Sequence, residues 1–228
     1  MNECLWCHQK LPLRLTWDWL FSLKPLPQNY ICASCLKMFE KTGDKVCPGC
    51  GRKQDNMNLC LDCSKWQHDH HLLHNKALFV YQQAAMKEYI EQYKFMGNYQ
   101  LRRLFQKQIQ AAITPYLKKA FTVVVIPVDQ ETFETRGFNQ VCGWLEGIEY
   151  QSYFEMKKKY GRQKQSTKTR CQRLATKNPF KYTGPETLKE KKILLVDDIY
   201  TTGRTLYYAQ EILEEKGADF VTSLTLAR

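Results

Sequence analysis

The sequence predicts an α/β protein: a parallel sheet flanked by helices, with a small cysteine-rich module at its N-terminal side. Three observations predict it. Residues 121–128 (FTVVVIPV) and Ile193, Leu194, Leu195 and Val196 are short apolar runs, the kind a strand buried on both faces needs. Apolar residues at helical spacing lie before the first run and after the second. Eight of the ten cysteines form four C-x-x-C pairs, all within the first 63 residues.

A chain of 228 residues fits one ordinary domain plus a small appendage, and 43% hydrophobic residues suffice for a core. No stretch approaches 18 consecutive apolar residues, so no membrane span is expected. Residues 1–7 lack the charged and apolar pattern of an export signal, which makes the cytoplasm the expected compartment. Thiols in a reducing compartment, two residues apart, suit a tetrahedral metal better than disulfides. The formal charge of +11 would fall if eight thiolates bound two Zn²⁺, yet stay positive. A basic surplus suits nucleic acid, phosphorylated small molecules or simply a solvated surface.

Residues 1–65 form a module too small to rely on its own apolar core, so metal is expected to stabilise it. Leu11, Leu13, Leu15, Trp17 and Trp19 alternate as in a strand or hairpin. Taken in order, Cys4, Cys7, Cys32 and Cys35 would share one zinc, and Cys47, Cys50, Cys60 and Cys63 a second. An interleaved pairing is equally compatible with the spacing. Cys47-Pro-Gly-Cys50-Gly51 has the form of a zinc knuckle. Such modules serve as docking platforms or touch nucleic acid; the structural role is the expectation. Cys142 and Cys171 are left over as packing or loop residues.

Residues 66–76 carry His68, His70, His71 and His74 and read as a polar linker, because the cysteines already complete two sites. The second domain then spans 77–228. Leu78, Val80 and Tyr81 suggest its first strand. Met86, Tyr89, Ile90, Tyr93 and Met96 mark a helix ended by Gly97. Leu101, Leu104, Phe105, Ile109, Ala112 and Ile113 mark another, bent or closed by Pro115. After the 121–128 strand a loop supplies Arg136, Gly137, Phe138, Asn139 and Gln140, where the planar arginine fork suits pyrophosphate. The last strand lies over 220–227.

Residues 193–205 carry the chemistry. The apolar strand runs into Asp197, Asp198, Ile199, Tyr200, Thr201, Thr202, Gly203, Arg204 and Thr205, and a helix pattern follows from Leu206 to Gly217. Paired carboxylates at a strand end can take sugar hydroxyls or Mg²⁺. Hydroxyls and N–H groups at a helix N-terminus take a phosphate. An acidic turn that merely caps a helix is the bland alternative, and a Walker-type loop is excluded because no Gly-Lys-Ser/Thr occurs. This run strongly resembles the phosphoribosyl pyrophosphate (PRPP) motif of type I phosphoribosyltransferases. By that resemblance Asp197 and Asp198 would meet the ribose hydroxyls and residues 201–205 the 5′-phosphate, with Tyr200 also among the PRPP-binding residues.

Residues 157–177 contain Lys157, Lys158, Lys159, Arg162, Lys164, Lys168, Arg170, Arg173 and Lys177 and no acid. The interspersed Gly, Ser, Thr and Gln read as a loop. Three roles compete: a solvated excursion, a lid over PRPP, or a track for single-stranded nucleic acid. Tyr160 is the sole aromatic residue there, so stacking is not visible in it.

Four C-x-x-C pairs, Lys94-Phe95-x-Gly97, an Ile-Pro-Val strand followed by RGFNQ, Arg162-x-x-Gln165 with Arg173 and Asn178, and the VDD-x-x-TTG turn together resemble the ComF family. That resemblance spans the chain. It implies a double zinc-ribbon module ahead of a type I phosphoribosyltransferase domain. It also implies a part in natural competence, handling incoming single-stranded DNA beside a ComFA-like helicase, in the cytoplasm or at the inner membrane face through partners. PRPP would bind with Mg²⁺. If pyrophosphate departs, Arg136 and Lys94 would balance its charge, and the basic loop would exclude water. Neither a catalytic base nor an acceptor can be named. A non-enzymatic competence factor that senses PRPP is the competing reading.

Overall fold

A computed structural model describes residues 3–12, 21, 29–157 and 178–228. Its centre is a four-stranded parallel sheet in the order β1-β6-β5-β2, with β1 Asn75–Phe79, β2 Phe121–Val125, β5 Lys192–Ile199 and β6 Phe220–Ala227. Strands β3 (Phe154–Met156) and β4 (Phe180–Tyr182) form a separate antiparallel pair. Alternation along β5 divides the interior. Leu194 and Val196 join Val123, Val125, Leu224 and Leu226 on one face, while Ile193 and Leu195 join Val124, Ile126 and Val221 on the other. Because strand side chains alternate, a run apolar at every position serves two cores at once.

The first face is covered by α3 (Ala84–Lys94), α4 (Arg102–Leu117) and α6 (Gln140–Trp144), with α5 (Gln130–Arg136) between β2 and α6. Tyr89, Tyr93, Phe105 and Trp144 are fully buried there, and Trp144 Nε1 donates to Tyr89 Oη at 3.1 Å, so the polar tips are satisfied as burial requires. Helix α7 (Arg204–Glu215) covers the second face through Leu206, Tyr207, Ala209 and Leu213.

The sequence expectations for β5, α7 and β6 agree with these elements; α3, expected to reach Met96, ends at Lys94, leaving Phe95 and Met96 exposed in a turn before Gly97. Pro115 lies within α4 rather than closing it, since the helix runs to Leu117. The strand expected over 121–128 stops at Val125, although Ile126 still donates to Val196 O at 3.1 Å. What read as a loop before RGFNQ contains α5. Asp129 caps it by accepting from Thr132 N at 2.9 Å, and Gly137 ends it at φ 82°. Both caps are written in the sequence, but seven residues with Phe133 as the sole apolar one show no helical period. The alternating segment around Leu13, Leu15, Trp17 and Trp19 lies outside the described residues.

The cysteine-rich module packs along the sheet. Short helices α1 (Ala33–Lys37) and α2 (Leu61–Asp69) follow Cys32 and Cys60. Residues 66–69 therefore continue α2, and Asn75 and Lys76 open β1. The outer side of β1 bonds the module's main chain: Thr42 N donates to Leu78 O at 3.2 Å, and Val80 N to Glu40 O at 2.8 Å. Phe39 enters the first core, whereas Cys47, Cys50 and Cys63 enter the second.

Candidate functional site

Parallel strands align their carboxyl ends, so β5 delivers Asp197 and Asp198 to the rim where the α3 end, α5 and the turn after β5 also converge. Asp198 is buried and takes two donors. Lys94 Nζ pairs with its Oδ2, and Gln140 Nε2 donates to the same oxygen. Gln140 Oε1 in turn accepts from Arg136 Nη1, so Lys94, Asp198, Gln140 and Arg136 form one polar chain. Asn139 fixes its frame, donating to Ile126 O at 3.0 Å and accepting from Val141 N at 2.9 Å. Burial lowers the pKa of Arg136, and its Nε finds no hydrogen-bond partner among the described residues.

Asp197 is the electrostatically unresolved member of the pair. Its Oδ1 accepts from Asp198 N at 2.8 Å. Burial, together with the neighbouring Asp198 charge, pushes its pKa up to about 8. A carboxyl held next to a carboxylate and short of positive charge is suited to a divalent cation or to hydroxyl donors.

The turn after β5 presents Thr201, Thr202 and Thr205 to solvent, while Gly203 is buried at φ 82° ahead of α7. A Cβ on Gly203 would lie 2.2 Å from Tyr200 Oη, so the close approach as well as the backbone demands glycine. Tyr200, which the motif put among the PRPP-binding residues, has its ring buried in the second core. The turn is anchored by its carbonyls. Arg228 Nη1 donates to Tyr200 O at 3.2 Å and Thr201 O at 2.7 Å, and Trp66 Nε1 to Thr202 O at 2.9 Å. Trp66 and Arg228 escaped the sequence reading, since neither belongs to a motif; Gln140 was visible only as part of RGFNQ.

A cavity of about 440 Å³ beside the polar chain is lined by Lys94, Phe95, Met96, Asp129, Thr132 and Arg136, among others. Phe95 and Met96 expose about three quarters of their surface, and the Arg136 guanidinium lies 5.9 Å from the Phe95 ring centre. Of the basic run, Lys157 alone is described, at the foot of the β3–β4 pair, where its Nζ donates to Asn178 O at 3.1 Å. Lys158, Lys159, Arg162, Lys164, Arg170 and Arg173 lie outside the described residues.

The cysteines gather into two groups in sequence order, Cys4, Cys7, Cys32 and Cys35, and Cys47, Cys50, Cys60 and Cys63, with the four sulfurs of each within 4.8 Å of one another. Cys7 and Cys32 sulfurs are 3.8 Å apart, Cys50 and Cys60 sulfurs 3.7 Å. A tetrahedron of sulfurs about 2.3 Å from Zn²⁺ has edges of about 3.8 Å, whereas a disulfide needs about 2.05 Å. Main-chain N–H groups already point at the sulfurs: Cys32 N to Cys4 Sγ and Cys60 N to Cys47 Sγ, each at 3.3 Å. A Cβ on Gly49 would stand 2.7 Å from Cys63 Sγ, so the second cradle also needs its glycine. Hydrogen bonding from Cys63 and the positive charge of nearby Arg228 outweigh burial and bring the Cys50 thiol down to about 4. The donor set and spacing fit zinc in both groups.

Among the described residues no helix is long and apolar enough to cross a membrane. The His70 and His71 rings pair with Glu211 and Glu214 of α7, at 2.7 and 3.3 Å, rather than with one another.

Residues 138–228 match the phosphoribosyl transferase domain family. Over 226 residues the chain is 36% identical to "Competence protein ComFC" of Streptococcus pneumoniae, covering 99% of this chain and all of that protein. It is 35% identical over 231 residues to "Competence protein ComFC" of Bacillus subtilis, covering 99% and 94%. A crystal structure of a hypoxanthine phosphoribosyltransferase from Staphylococcus aureus overlaps 54% of this chain and 61% of its own at 15% identity and a TM-score of 0.33, too loose to carry argument.

Proposed function

The chain belongs to the ComFC family of competence proteins, and from that premise we propose that it is a cytoplasmic competence protein that binds PRPP with Mg²⁺ and handles single-stranded DNA. The observation that carries the PRPP part is the convergence on one rim of the Asp197–Asp198 pair, Lys94, Arg136 and a helix-opening turn whose carbonyls are all engaged from behind. The ribose hydroxyls would donate to Asp197 and Asp198. The 5′-phosphate would take the hydroxyls of Thr201, Thr202 and Thr205 and the N–H groups beside them. Lys94 and Arg136, now tied to Asp198 and Gln140, would face the pyrophosphate, and Mg²⁺ would supply the charge neutralisation two cations leave incomplete. Two Zn²⁺ would occupy the cysteine groups, and a ComFA-like helicase would be the protein partner.

The DNA part rests on family membership and on the basic run that begins at Lys157. Calorimetry with Mg²⁺ and PRPP, followed by competition with single-stranded DNA, tests both. PRPP binding lost in Asp197→Ala is the expected result, and a wild-type protein indifferent to PRPP sinks the reading.

A second reading, transfer of the phosphoribosyl group to a base or nucleotide, is favoured by the cavity beside Lys94 and Arg136, where exposed Phe95 could stack on a planar acceptor. Pyrophosphate release from PRPP across candidate acceptors distinguishes it. Turnover abolished by Asp197→Ala supports transfer; binding without turnover supports sensing.

A further inference from the structure

Three consecutive carbonyls of the turn, those of Tyr200, Thr201 and Thr202, accept hydrogen bonds from side chains outside it. No described peptide bond is cis. In a trans peptide the C=O and the next N–H point in opposite directions. Fixing these carbonyls on one side therefore aims the N–H groups of Thr201, Thr202 and Gly203 to the other. Among the described residues those three N–H groups make no main-chain hydrogen bond.

Both anchoring side chains trace back to the second cysteine group. Trp66 sits in α2, three residues after Cys63, and stacks on Tyr207 of α7 with ring centres 4.2 Å apart and planes 14° from parallel. Arg228 follows β6 with its side chain about 10% exposed, its guanidinium 5.0 Å from the Tyr200 ring centre. Among the described residues only Nη1 of Arg228 makes a hydrogen bond; Nε and Nη2 find no partner there, and Asp62 Oδ2 is 3.8 Å away while engaged at 2.7 Å by Arg52. A buried guanidinium with two idle donors calls for an anion. Four thiolates around one Zn²⁺ carry a net charge of −2, and Asp62, which lies between Cys60 and Cys63, places the guanidinium of Arg228 beside that group.

We propose that Arg228 and Trp66 are positioning residues that couple the second metal centre to the phosphate turn: the loaded centre holds them, and they hold the N–H groups of residues 201–203 toward the ligand. This rests on the PRPP reading above. By reciprocity, whatever the centre contributes to ligand affinity the ligand returns to metal retention.

The test uses the full chain loaded with two zinc ions, as wild type, Arg228→Lys and Trp66→Phe. Calorimetry with Mg²⁺ and PRPP gives affinity, and a chromogenic chelator follows zinc release with and without PRPP. Lysine keeps the charge but lacks the rigid planar guanidinium that spans both carbonyls and the space beside Asp62, so PRPP is expected to weaken about tenfold in Arg228→Lys. Loss of the neutral indole donor should cost about threefold to tenfold in Trp66→Phe. Both variants should keep two zinc ions. PRPP should slow release of one zinc and not the other in wild type, and this protection should shrink in Arg228→Lys, a response that a merely structural arginine would not produce. If wild type binds no PRPP, the PRPP reading falls and takes this inference with it. If wild type binds but both variants bind within twofold of it, with zinc release indifferent to PRPP, this inference alone is overturned.

Discussion

Lys94, at the end of α3, pairs with Asp198, near the end of β5, with side chains only 16% and 8% exposed. An ion pair so enclosed costs most when one member is removed, because the survivor is left buried and charged. Gln140 continues to donate to Asp198 and softens the loss. Lys94→Met is expected to destabilise by about 3 kcal/mol, read as a lower urea midpoint at unchanged slope. Replacing Asp198 as well, in Lys94→Met with Asp198→Asn, should recover part of that, and a double variant no better than the single would refute the assignment.

Asp197 sets a pH dependence. Its ordinary value is 3.8 and its folded value about 8, so the folded state holds a proton there across the neutral range. A carboxyl raised on folding favours the folded state below its ordinary value, and that advantage disappears as pH rises through about 8. If ligand binding needs the carboxylate, PRPP should bind more tightly as pH climbs from 6 to 9 and should release a proton on binding below 8. Calorimetry in buffers of different ionisation enthalpy measures that proton. Asp197→Asn should release none.

Gly203→Ala meets two obstacles, the left-handed backbone and the Tyr200 hydroxyl 2.2 Å from the new Cβ. The backbone alone is worth about 1–3 kcal/mol. A thermal melt should show the loss, and PRPP affinity should fall with it. Adding Tyr200→Phe removes the hydroxyl but leaves the ring carbon Cζ 2.5 Å from the new Cβ, so it should restore little; full recovery would mean that the ring is not the obstacle.

The two cysteine groups should differ in consequence. Cys7 is exposed, whereas Cys47, Cys50 and Cys63 are buried within the second core. Cys50→Ser should lower the melting temperature more than Cys7→Ser, and chelator titration should remove the first zinc before the chain unfolds. Equal effects would contradict the packing.

Single-stranded DNA affinity is expected to fall steeply with salt. Neutralising Lys157, Lys158, Lys159, Arg162 and Lys164 should reduce the slope of log affinity against log salt by about 3.5, at about 0.7 for each phosphate contact. An unchanged slope would remove the case for this run.

Much of the scaffold was legible because its signals are local. The double apolar run of β5 must be buried on both faces, and the four C-x-x-C pairs announce their own chemistry. The antiparallel β3–β4 pair was not legible, since three residues per strand are too few to show a period. Nor was α5, where Asp129 and Gly137 are the caps but Phe133 is the sole apolar residue between them and shows no period. Within the site, Asp197 and Asp198 could be read from the motif. The donors that hold the turn could not, because Trp66 and Arg228 reach it from residues 136 and 27 positions away. Long-range partners leave no periodic trace in a single sequence. Tyr200 shows the converse: it is part of the motif by sequence, yet its ring serves the core.

The main-chain bonds between residues 40–42 and β1 carry a practical consequence. Strand β1 stands at the border of the sheet, and the module's backbone occupies the hydrogen-bonding positions that a border strand would otherwise offer to other chains. Separating the C-terminal portion at residue 77 would cut into β1 itself and unmask that side. Such a fragment should self-associate through strand addition, so recombinant expression is best designed around the uncut polypeptide.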